Sequence, residues 1–134
     1  MQFSLKYAPN FQASLDRLSK SQRFKKNSSD KQALQEKVKE ILKEIVKDPF
    51  FLNSSVSSEP EPLPKKLKLP SSLEFRKIRF KIGKGESGQV RIMYLVNRDE
   101  CKVHLLFIFN HDQYEKRPPD DYLKAIIQDA LEEQ

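Results

Sequence analysis

Cysteine is nearly missing from this chain of 134 residues. Cys101 stands alone, so no intrachain disulfide can form and the fold has to rest on packing. A lone thiol fits a reducing cytoplasm. Long hydrophobic runs are missing too. A run such as Leu105–Phe109, which none exceeds, is far below the roughly 20 residues that a membrane helix needs, and the opening MQFSLKYAPN holds no apolar stretch of signal-peptide length. Two histidines and one cysteine lack the spacing of a zinc site. No G-x-S-x-G elbow is present, and no internal repeat. Only three glycines occur, Gly83, Gly85 and Gly88, all in one short segment. No helix start follows them, so they read as a hairpin turn with positive φ angles and not as a nucleotide-binding loop. These absences predict one soluble, cytoplasmic domain over residues 1–134, with no metal, no small-molecule cofactor and no membrane partner.

What is present is charge, unevenly placed. The net charge is +6 with a pI near 9.4. Between Lys65 and Arg98 ten basic residues face only Glu74 and Glu86, a local +8, so the remainder carries −2. A local positive field favours an anionic partner over mere solubility.

The apolar residues show which elements form. Phe3, Leu5 and Tyr7 alternate, which predicts a strand over Gln2–Tyr7. Phe11, Leu15 and Leu18 follow at helical spacing, with Asn10 as N-cap. Lys20–Asn27 reads as a polar turn. Leu34, Val38, Ile41, Leu42 and Ile45 mark a second helix, opened by a Ser29/Gln32 capping box and stopped at Asp48-Pro49. The two helices are expected to pack as an antiparallel hairpin. Asn53–Pro70, with four prolines and four serines, reads as a long loop. Strands follow at Glu74–Lys81, Gln89–Val96 and Lys102–Phe109, joined by the glycine turn and by Asn97–Glu100. Such short connections force antiparallel neighbours. Pro118-Pro119-Asp120-Asp121 opens a last helix striped by Tyr122, Leu123, Ile126, Ile127, Ala130 and Leu131. The expected fold is α+β: an N-terminal strand, a helical hairpin, a three-stranded antiparallel meander and a C-terminal helix, with four strands in the sheet. The helices are expected on one face of the sheet, leaving the other partly open.

Within the first strand of the meander, Lys77, Arg79 and Lys81 alternate and so project from one face as a cationic comb. The plain alternative is a solvated sheet edge whose lysines prevent aggregation. The comb, the turn and the next strand, RKIRFKIGKGESGQVRIMY at Arg76–Tyr94, resemble the RelE/ParE superfamily of toxin–antitoxin proteins, most closely its RelE- and HigB-like branch. LLFIFNH at Leu105–His111 and KDP at Lys47–Pro49 are similar to that branch as well. The chain departs from the pattern at Glu86, Gln89 and Phe109 and in its longer Pro/Ser-rich loop. The resemblance implies a RelE-like toxin domain that cleaves ribosome-associated mRNA without metal and is silenced by a cognate antitoxin protein. It implies that Lys77, Arg79 and Lys81 line an RNA groove, joined by Arg76 and Lys84, that Arg91 contacts the scissile phosphate, and that His111 lies near the reacting atoms.

Such cleavage needs a base, cations for the dianionic transition state and an acid. Arg79 and Arg91 suit the second task, because guanidinium stays charged and binds phosphate oxygens bidentately. Imidazole can serve as acid or base, which fits His111. A lysine among cations can act as base, which brings in Lys81 and Lys77. Tyr114, after the last strand, is a candidate for base stacking. His104 reads as a hydrogen-bonded structural histidine and Tyr94 as core. Two other readings stay open: a ParE-type inhibitor of DNA gyrase, which needs a surface and no acid–base groups, and a non-catalytic RNA- or antitoxin-binding module.

Overall fold

The period-2 segments become a single sheet. In the computed structural model, which describes residues 2–132, the strands are β1 (Ser4–Tyr7), β2 (Ser57–Pro60), β3 (Leu73–Lys81), β4 (Gln89–Asn97) and β5 (Lys102–Asn110). Their order is β1-β5-β4-β3-β2. β1 runs parallel to β5, and the remaining neighbours are antiparallel. The sheet therefore has five strands and not four. The extra one, β2, lies inside the segment read as a loop. Its sequence, SSEP, carries none of the β-branched or aromatic residues that signal a strand. It forms because the open edge of β3 offers a ladder to pair with.

The helices are α1 (Pro9–Ser19), α2 (Gln22–Lys25), α3 (Ser28–Lys47) and α4 (Asp120–Glu132). Three local expectations shift by a few residues. α1 starts at Pro9, with Ala8 as cap instead of Asn10, since proline's fixed φ suits a first helical position. The Lys20–Asn27 segment holds the short helix α2 rather than a turn alone. α3 is capped by Asn27, whose side chain accepts the Asp30 N–H at 3.0 Å, and Ser29 serves that cap by donating to Asn27 Oδ1 at 3.0 Å.

Two apolar layers result. On the first face, Phe11, Leu18, Phe24, Leu34, Val38, Ile41 and Ile45 pack on Ile78, Ile92, Tyr94, Val96, Val103 and Leu105. Tyr94 is fully buried, and its hydroxyl donates to the Pro49 carbonyl at 2.6 Å. On the second face, α4 lays Leu123, Ile126, Ile127 and Ala130 over Phe75, Met93, Leu95, Leu106, Phe107 and Phe109. Helices thus lie on both faces, contrary to the expectation of one. α4 covers its face only in part, because the apolar rows of that face give way to charged ones toward the glycine turn.

That turn is built tightly. Gly83 and Gly85 take φ of +67° and +86°, where a side chain is strained. Arg23 of α2 clamps it: the guanidinium pairs with Asp30 at 2.5 Å and donates to the Ile82 carbonyl at 2.9 Å. A Cβ on Gly88 would lie 2.2 Å from the Ile82 carbonyl oxygen, a backbone atom fixed by the Ile82 N–H bond to the Gly88 carbonyl at 2.8 Å. Gly88→Ala is therefore expected to cost about 2–3 kcal/mol, read as a lowered urea midpoint at unchanged slope.

Candidate functional site: a cationic patch on the second sheet face

Register decides which side chains meet. β3 and β4 place Lys77 opposite Met93, Arg79 opposite Arg91 and Lys81 opposite Gln89. β4 and β5 place Met93 opposite Phe107 and Arg91 opposite Phe109. The His111 N–H donates to the Gln89 carbonyl at 3.1 Å. Alternate residues share a face, so three parallel rows stand on the second face: Lys77–Met93–Phe107, Arg79–Arg91–Phe109 and Lys81–Gln89–His111. The first row begins to disappear under α4. The other two border a cleft of about 380 Å³ lined by Arg79, Lys81, Gln89 and Arg91. A larger cleft of about 570 Å³, lined by Glu61, Lys77, Arg79, Arg91, Lys116 and Arg117 among others, adjoins it.

Arg91 is the electrostatic centre of this patch. Its Nη1 is buried and has no hydrogen-bond partner among the described residues. Burial, and then the charge of Arg79 across the ladder, hold its pKa below the usual guanidinium value, while Glu61 acts in the other direction. Its guanidinium carbon lies 6.0 Å from the centre of the Phe109 ring, a contact that leaves the N–H groups free to bond elsewhere. Arg79, opposite it, is ion-paired with Glu59 at 2.7 Å.

The other expected residues fall into three groups. Arg79 and Lys81 are exposed on the patch as the alternation requires. His111 stands at its end, with Nε2 at 3.5 Å from Glu86 and Nδ1 buried without a partner among the described residues. Tyr114 packs edge-on against Phe109 at 5.7 Å, one ring away from Arg91. Lys77 lies on the same face but is nearly buried and is held by Glu61 at 2.9 Å. Arg76 and Lys84 do not belong to the patch. Arg76 points to the first face, where it donates to Ser58 Oγ at 3.1 Å and pairs with Glu74. Lys84 stands exposed in the glycine turn, and its carbonyl accepts from Arg23 at 3.4 Å. His104 is buried, and its Nε2 has no partner among the described residues, so the expected hydrogen bond at that atom is missing. Burial, and then Lys102 and Lys6, lower its pKa.

Sequence reading missed three residues of the site. Glu61 sits between Lys77 and Arg117, at 2.9 and 3.0 Å, with its side chain only 8% exposed. Glu59 pairs with Arg79 at 2.7 Å. Arg117 reaches in from the loop before α4 and also holds Asp120 at 3.0 Å. The signal lay in the alternation Glu59-Pro60-Glu61, whose period of two matches that of the basic comb. Among the described residues no cluster of His, Cys, Asp and Glu could hold a metal ion, and no helix is long and apolar enough to cross a membrane. A further cleft of about 360 Å³, lined by Tyr7, Phe11, Leu15, Val38 and Leu42 among others, lies between α1 and α3, away from these cations.

Fold and patch together define a small α+β domain with a cationic, half-buried patch on an incompletely covered sheet. No family model and no curated protein matches the chain. Among solved structures it is similar to the archaeal RelE–RelB complex from Pyrococcus horikoshii OT3, at 12% identity and a TM-score of 0.47, covering 82% of this chain and 96% of that one. It is also similar to a mutant of the E. coli toxin RelE in the free state, at 16% identity and a TM-score of 0.45, covering 98% and 97%. At identities and scores this low, neither activity nor partner passes from them to this chain.

An unpartnered, half-buried cation facing another cation is a stability liability. Arg91→Met, which keeps the aliphatic stem and removes the charge, is expected to raise unfolding free energy by about 1 kcal/mol, measured by urea denaturation. A loss of stability would show that the Arg91 head group is structurally satisfied.

Proposed function

We propose that the chain is the toxin of a type II toxin–antitoxin pair, an endoribonuclease that cleaves ribosome-associated mRNA without a metal ion. Its partners on this reading are a cognate antitoxin, mRNA and the ribosome. One observation carries the reading: the buried, unpartnered Nη1 of Arg91 directly across the ladder from Arg79. A phosphodiester seated between them satisfies the orphan donor and cancels the repulsion, and it does so more fully as the phosphorane gains negative charge. Interactions that strengthen in the transition state are the ones that accelerate a reaction.

The remaining roles follow from position. The 2′-hydroxyl attacks the adjacent phosphorus; the new P–O2′ bond forms as the bond from phosphorus to O5′ breaks. Arg79 and Arg91 bind the non-bridging oxygens. His111, in the next row and close to Glu86, transfers a proton at one end of this displacement. Lys81, exposed in that same row, serves the other end. Tyr114, beside Phe109, offers a ring edge for a base to rest on.

Inducing the wild-type chain in cells and mapping mRNA ends by primer extension should reveal new internal 5′ ends. Arg91→Ala should reduce them about 10²–10³-fold, the usual loss for one transition-state donor. His111→Ala should reduce them about 10²-fold or more. Growth arrest with intact messages would reject the nuclease; altered plasmid supercoiling in that case would favour the gyrase reading.

A further inference from the structure

The strand that sequence reading missed brings two carboxylates to the cations that an RNA backbone would use. Glu59 and Glu61 lie on either side of Pro60 and so share a face. Glu59 is opposite Lys77 in register but reaches diagonally to Arg79 at 2.7 Å. Glu61 takes Lys77 at 2.9 Å and Arg117 at 3.0 Å. Each oxygen sits where a phosphate oxygen would sit to bond the same nitrogen. Of the cations lining the larger cleft, Lys77, Arg79 and Arg117 are thereby occupied, while Arg91 is left with its buried orphan.

The segment that carries these carboxylates joins the sheet from one side only. β2 has four residues, pairs with β3 alone and forms one edge of the sheet. Pro60 and Pro62 have no N–H to give to a ladder, so the Glu61 N–H bond to the Phe75 carbonyl, at 2.9 Å, stands between two silent positions. Beyond it the chain is tied by side chains: the Pro62 carbonyl accepts from Arg117 at 2.6 Å and the Lys65 N–H donates to Asp120 at 3.0 Å. On the first face Arg76 and Tyr94 hold Ser58, through contacts of 3.1 and 2.6 Å. A polyanion entering the cleft can trade carboxylate partners for phosphate ones at Arg79, Lys77 and Arg117 without disturbing that anchor.

We propose that Glu59 and Glu61 form an internal polyanion mimic, an acidic strap that occupies the cationic cleft and competes with single-stranded RNA for it. The inference rests on the RNA-binding reading of the patch and adds its regulation. Bringing the strap's charge to zero exposes the comb; a bound RNA displaces it.

The test is equilibrium binding at fixed ionic strength, followed by fluorescence anisotropy. The probes are a labelled 2′-O-methyl RNA 12-mer, which cannot be cleaved, and polyphosphate as its unlabelled competitor. Glu59→Gln, an exposed pair, should tighten RNA binding about 3-fold. Glu61→Gln, which frees two partly buried cations, should tighten it about 10-fold. Both should steepen the dependence of affinity on salt, since more phosphates are then engaged. Glu40→Gln, which removes an exposed charge on α3 over the first sheet face, should change affinity less than about 2-fold. Circular dichroism checks that each variant folds; if Glu61→Gln does not, Glu59→Gln alone decides. Unchanged or weaker binding in the folded strap variants, or an equal gain in Glu40→Gln, would overturn the strap. If no message is cut but both strap variants bind polyphosphate more tightly, the nuclease fails and the strap stands. If messages are cut and neither probe binds more tightly, the strap fails and the nuclease stands.

Discussion

The pairing of Arg79 with Arg91 across the central antiparallel ladder is the constraint around which the molecule is arranged. Two guanidinium groups placed across a ladder repel, and the partial burial of Arg91 adds a desolvation cost to that repulsion, although Arg79 itself stays exposed. The chain meets it in two ways. Glu59 satisfies Arg79 from the neighbouring edge strand, and Phe109 offers its ring to Arg91. Neither gives Arg91 Nη1 a bond. A sheet whose other face is a well-packed core holds the pair in this register.

The rest of the fold can be read as support for that register. The glycine turn sets the β3–β4 pairing, and the turn is itself fixed by Arg23 reaching from α2 to the Ile82 carbonyl. Arg76, one residue from the comb but on the opposite face, is spent on Ser58 and Glu74. α4 joins Met93, Phe107 and Phe109 in one apolar cluster on the second face, which does not include Arg91 or His111. Side chains from β2, β3, β4 and the loop before α4 thus meet at one place although the sequence spreads them from Glu59 to Arg117.

Much of this was legible in the residues. Alternation placed Lys77, Arg79 and Lys81 on one face, and the three glycines located the turn that brings Arg91 across from them. Periodicity identified both longer N-terminal helices and the C-terminal one. What could not be read had physical reasons. β2 is a strand by pairing and not by propensity, so its serines and prolines gave no signal. Lys77 looked free because its counter-ion lies 16 positions earlier, in a segment without hydrophobic pattern. Arg76, expected to join the RNA groove, has the opposite parity to the comb and so stands on the first face. The placement of α4 on the second face depended on which side of the sheet its apolar stripe would find uncovered, a tertiary choice that local sequence does not encode.

The central claim is that anionic ligand enters at the Arg79–Arg91 pair on the second sheet face. Titrating the ¹⁵N-labelled chain with a non-cleavable single-stranded RNA and following backbone amides and arginine Nε–H signals by NMR tests it directly. The largest changes should fall on the Nε–H groups of Arg79 and Arg91 and on the amides of Lys81, Gln89 and His111, with Arg76 and α3 unmoved. Changes centred on Arg76 and α3, or no changes at either guanidinium, would contradict it.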